Sequence, residues 1–74
     1  MKTKKIFTKE EILEISKKWK VVSYIRGYYQ HLFEPKERFV MAQKLACKVI
    51  LRSGLPKNSP IYKNAHETFS RMTK

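Results

Sequence analysis

Apolar residues recur along this chain at intervals of three and four, and nowhere do they alternate long enough to build a strand. Ile12, Ile15, Trp19 and Val22 set this spacing, and Tyr29 and Phe33 continue it. A second stripe, Val21, Ile25, Tyr28 and Leu32, runs beside the first. Such intervals gather side chains on one face of a helix, whereas a strand sends neighbours to opposite faces. The expected fold class is therefore all-α.

Local chemistry marks where the helices begin and stop. Thr8 precedes Glu11 by three residues, the spacing of a capping box, and Phe7 and Ile12 stand where a hydrophobic staple would form. Pro35 disfavours helical geometry at Glu34 and suits the first turn of a new helix. Gly54 is a good left-handed stop, with Leu55 placed to fold back on Ile50. Ser59 and Pro60 read as cap and first residue of a last helix.

These signals predict helices at about 9–33, 35–53 and 60–72 in a single helical domain over 8–74, with residues 1–7 a flexible basic arm and 73–74 fraying. The architecture expected is a compact three-helix bundle, or four helices if the long first one breaks near Gly27, where glycine weakens a helix by about 1 kcal/mol. The second helix should bury Phe39, Ala42, Leu45, Ala46, Val49 and Ile50, and the third Ile61, Ala65, Phe69 and Met72. Trp19, Tyr29 and one of Tyr24 and Tyr28 are expected in the core, since aromatic rings carry much of a small domain's burial. Seventy-four residues bury a modest share of their surface, so a homodimer that shares core surface is compatible with this length.

Charge limits the function more than any motif does. Seventeen Lys and Arg stand against six Glu and no Asp, for a net +11. The acids cluster at helix starts, Glu10, Glu11 and Glu14 opening the first helix and Glu34 and Glu37 opening the second. Between Arg38 and His66 there is none. Self-repulsion on this scale favours an external anion, namely nucleic acid, acidic lipid or an acidic protein face. Lys44, Lys48 and Arg52 recur at i, i+4 and i+8, on one line with steps of about 6 Å, close to the spacing of phosphates along a strand. A solvated helix back normally mixes Glu with Lys, and this one has no Glu.

Two further stretches extend the candidate interface. Near the last helix, Lys57, Tyr62, Lys63 and Asn64 could meet phosphates and base edges, with His66 beside them. The stretch SKKWKVVSYIRGYYQ (residues 16–30) interleaves bases with aromatics and contributes Lys17 and Lys20. A DNA-reading helix-turn-helix has a turn of three or four residues. The span from Arg52 to Ser59 is longer and stiffened by proline, so that comparison fits poorly.

Other chemistries find little support. Two Gly leave no glycine-rich phosphate cradle, and one Cys with two His gives no metal-ligand spacing. His66–Glu67 are adjacent and point to different sides of a helix, so they do not make a catalytic pair. A non-enzyme without metal or cofactor is expected. Cys47, the one cysteine, permits no internal disulfide and suits a reducing, cytoplasmic setting as a small buried hydrophobe. No apolar run approaches a membrane span, and MKTKKIF lacks the apolar segment of a secretion signal. KKWKVV has the composition of a membrane-surface helix, but three Glu occupy the turns before it.

The expected function is thus nucleic-acid binding, DNA or RNA, mainly through phosphate contacts and in a regulatory role, by Lys17, Lys20, Lys44, Lys48, Arg52, Lys57, Tyr62, Lys63 and Asn64. The alternative is a small protein-binding modulator, an inhibitor or adaptor, that docks on an acidic surface of a larger enzyme or complex, with Tyr24, Arg26 and Tyr28 as anchors.

Overall fold

The computed structural model describes residues 6–72. Four α-helices follow in order: α1 (Lys9–Ser16), α2 (Val21–Tyr29), α3 (Arg38–Leu51) and α4 (Pro60–Met72). A 3₁₀ turn over Gln30–Leu32 extends α2. The described residues contain no strand, and none of their helices is long and apolar enough to cross a membrane. The chain is all-α, as the spacing predicts.

The capping box at α1 forms as its sequence requires. The Glu11 amide donates to Thr8 Oγ1 at 3.2 Å, and the Thr8 amide donates to Glu11 Oε1 at 3.0 Å. Phe7 and Ile12, the staple pair, both enter the core. Of the basic arm expected over 1–7, residues 1–5 lie outside the described residues, as do 73–74 at the other end. Ile6 is exposed, whereas Phe7 is only 4% exposed, and its ring meets Tyr28 and Tyr29 edge-on at 5.3 and 5.8 Å.

The long first helix breaks, but at residues 17–20 and not near Gly27, which sits inside α2. Phase explains the position. Ile12 and Val21 are nine residues apart, so on one straight helix they would face about 180° away from each other. Both are buried in one core, and only a break allows that. Locally, the Ser16 hydroxyl donates to the Leu13 carbonyl at 2.7 Å and competes with the helix ladder. Lys20 then takes an extended conformation, φ −73° and ψ 121°, and starts α2 in a new direction. The first apolar stripe of the sequence is thus split by the break, Ile12 and Ile15 lying in α1 and Val22 and Tyr29 in α2, beside the second stripe.

The second start also moves. Residues 35–37 form a turn in which the Glu37 amide donates to the Glu34 carbonyl at 2.9 Å, and α3 begins at Arg38. α3 packs against both α2 and α4, which touch each other little. Ala42 and Ala46 are fully buried there, where small side chains let neighbouring helices approach. Tyr29, Ile12, Ile25, Ile50 and Cys47 are the largest fully buried side chains. A polar link spans the bundle: Arg26 Nη1 donates to Gln43 Oε1 at 3.0 Å, and Gln43 Nε2 to Met72 Sδ at 3.3 Å. At the end of α3, Gly54 has φ +96° and Leu55 returns into the core beside Ile50. The Ser59 hydroxyl accepts from the Ile61 amide at 3.3 Å and caps α4.

Three expected core aromatics stay outside: Phe39, Trp19 and the one expected from Tyr24 and Tyr28, both of which are exposed. Phe39 is 58% exposed. It stands in the first turn of α3, beyond the reach of the core, and the Arg26 guanidinium covers its ring at 4.6 Å. Trp19 is 61% exposed because it falls in the break between α1 and α2 and has no helix face to share.

Candidate nucleic-acid interface

Of the nine residues expected at the interface, seven line three open concavities rather than one continuous face, and Lys17 and Arg52 line none of the three. The first gathers Lys57, Tyr62 and Lys63, and adds His66. Lys57 comes from the loop after α3, and the other three from the first two turns of α4. The Tyr62 and His66 rings are four residues apart on α4 and lie nearly parallel, 11° between planes and 6.3 Å between centroids. Two ammonium groups beside a flat wall of this kind can hold a phosphate and its sugar.

The second concavity holds Lys44 and Lys48 against Leu32, Phe33, Met41 and Leu45. Lys44 is half-buried, its stem lying on the apolar wall, and Lys48 is exposed. Arg52 continues their line one turn on. It caps α3, its amide donating to the Lys48 carbonyl at 3.1 Å, and its side chain is exposed.

The third concavity lies where the α1–α2 break meets α4. Lys20 and Asn64, distant in sequence, line it together with Trp19, Ser16, Val22 and Pro60, around a volume of about 320 Å³. Trp19 also lines two further concavities with Tyr24, one containing Lys20 and Ser23 and the other Lys18 and Glu14. The Trp19 and Tyr24 rings are 6.4 Å apart and tilted by 36°. Lys17 does not join this group as a free cation, because its Nζ pairs with Glu14 Oε2 at 3.2 Å.

Among the described residues, the ion pairs Lys17–Glu14 and Arg71–Glu67 are both exposed, each between side chains one helix turn apart. Lys20, Lys44, Lys48, Arg52, Lys57 and Lys63 take part in neither. Cys47 stands apart from them, fully buried, and its burial pushes the thiol up to about 11, so at neutral pH it is a protonated core side chain and not a nucleophile. Among the described residues no three His, Cys, Asp or Glu side chains gather as metal ligands.

Sequence reasoning placed Trp19 in the core and thereby missed the most exposed aromatic of the basic segment. A signal was present: Lys17, Lys18 and Lys20 flank Trp19 closely on both sides, and a segment this charged suits a solvated bend better than the middle of a bundle. Compared with known proteins, the chain matches no family model, no curated protein and no solved structure.

Proposed function

We propose that this protein is a small, non-enzymatic nucleic-acid-binding protein of the cell interior that holds its ligand chiefly by phosphate contacts. One observation carries this: among the described residues, no carboxylate pairs with six cations, the exposed Lys20, Lys48, Arg52, Lys57 and Lys63 and the half-buried Lys44. A chain of net charge +11 that leaves its bases unpaired gains most from a polyanion, whose counterions are released on binding. The three concavities supply polar and aromatic groups beside the cations, Asn64 and Trp19 in one and Tyr62 and His66 in another.

Fluorescence anisotropy of labelled duplex DNA, single-stranded DNA and an RNA hairpin, titrated across several salt concentrations, tests the proposal. If all six cations meet phosphates of a duplex, log K falls with log salt at a slope of about −5. The Lys44→Glu/Lys48→Glu double variant should bind more weakly and reduce the steepness of that slope by about two. No binding near physiological salt, or binding indifferent to these two charges, would refute it.

A second function is favoured by a separate observation. The groove of Leu32, Phe33, Met41 and Leu45 is apolar with two lysines, Lys44 and Lys48, in its lining. That combination suits an acidic, amphipathic protein segment, so failure to bind any nucleic acid would make a protein target the one to pursue.

A further inference from the structure

A tryptophan that is 61% exposed is unusual in so small a core, where burying an indole would stabilise the fold more than burying most side chains. Here the break between α1 and α2 holds Trp19 outward, with Tyr24 at 6.4 Å to one side and tilted away by 36°. The two rings are therefore not stacked on each other, and the indole retains surface for a third aromatic. Lys18 and Lys20 line the concavities around it, and the one acid there, Glu14, is engaged by Lys17 at 3.2 Å. Across from Trp19, α4 contributes Asn64, whose amide can both donate to and accept from a base edge.

We infer that the Trp19–Tyr24 junction is a base-stacking site for single-stranded nucleic acid, with Lys18 and Lys20 on the adjoining phosphates and Asn64 on the base edge. The inference rests on the nucleic-acid function proposed above and narrows it to unpaired bases. In a duplex the flat faces of the bases are covered by their neighbours, so an exposed indole has nothing to stack on. In a single strand they are free, and aromatic side chains take them with little regard to sequence. The surrounding positive charge favours a polyanion over a neutral apolar partner. A docking protein would have to present its own aromatic or apolar group inside an acidic frame.

Trp19 is the sole tryptophan, so the intact protein reports on its own site. Titration with an oligothymidylate should quench its fluorescence, and a duplex of equal length should leave the emission nearly unchanged. Trp19→Ala should weaken single-strand affinity, read by anisotropy of a labelled oligonucleotide, by about tenfold, and weaken duplex affinity by clearly less. Trp19→Phe should restore much of the loss. The salt slope separates stacking from charge: Trp19→Ala should lower affinity at every salt concentration without changing the slope, whereas Lys44→Glu/Lys48→Glu changes the slope. Because Trp19 lies outside the core, circular dichroism of Trp19→Ala should match that of the parent protein.

Three results would count against the inference. Single-strand binding by anisotropy with no quenching and no loss in Trp19→Ala would overturn it and leave the nucleic-acid function standing. Equal quenching by duplex and single strand would overturn the preference for unpaired bases. Absence of binding to either ligand would overturn both the inference and the function on which it rests.

Discussion

The two glycines of this chain have similar surroundings and should respond oppositely to the same substitution. Gly27 lies inside α2 and is exposed, and a Cβ built there meets nothing within 4 Å. Alanine therefore introduces no clash and removes a helix-weakening residue, which should stabilise the fold by about 0.5–1 kcal/mol. A Cβ at Gly54 likewise meets nothing within 4 Å, but its φ is +96°. There alanine must hold a left-handed backbone or drag the end of α3 out of place, at a cost of about 1–2 kcal/mol. The two variants should thus differ by about 2 kcal/mol, with opposite signs relative to the parent. For a domain of this size each kcal/mol moves Tm by roughly 4–8 °C. Urea and thermal unfolding followed by far-ultraviolet circular dichroism measure both, and an unchanged m-value keeps the comparison clean. A destabilised Gly27→Ala would refute the continuous α2, and shifts of the same sign in both variants would refute the backbone argument altogether.

Phe7→Ala should lower stability by about 3 kcal/mol, because the ring is buried against Tyr28 and Tyr29, while Ile6→Ala next to it should change little; chemical denaturation reads both. Stability should also fall in alkali. Burial holds the Cys47 thiol up at about 11, against 9.0 for a free thiol, and burial, then Tyr28, then Glu11 push Tyr29 to about 12, against 10.0. Between these limits the folded chain holds more protons than the unfolded one, so the contribution is whole below about pH 9 and is lost as pH rises toward about 12. Urea midpoints measured across this range should fall, and Cys47→Ala should remove the part of the decline that begins near pH 9. Native Cys47 should react with a thiol reagent only as the fold opens, so alkylation much faster than unfolding would contradict its burial.

Helix class and helix ends were legible in the sequence because they depend on interactions within a turn or two. Three- and four-residue apolar spacing, the Thr8–Glu11 box, the positive φ of Gly54 and the Ser59–Pro60 start all act among near neighbours. The group of Lys57, Tyr62 and Lys63 was legible for the same reason, being close in the chain. Other features depended on which faces meet. The break at residues 17–20 follows from Ile12 and Val21 sharing one core, a condition no local signal states. Phe39 and Trp19 lie on apolar stripes yet stay outside, since a stripe says which side of a helix is apolar and not how far the partner helix reaches.

By itself, then, the sequence determined an all-α chain, the chemistry of its helix ends and a surplus of positive charge, all properties of composition and of short-range contact. Tertiary structure alone decided that Trp19 leaves the core and that Lys20, at the α1–α2 break, lines one concavity with Asn64 of α4. Those outcomes depend on how four short helices bury the most apolar surface together, and that competition is settled only when the whole bundle packs.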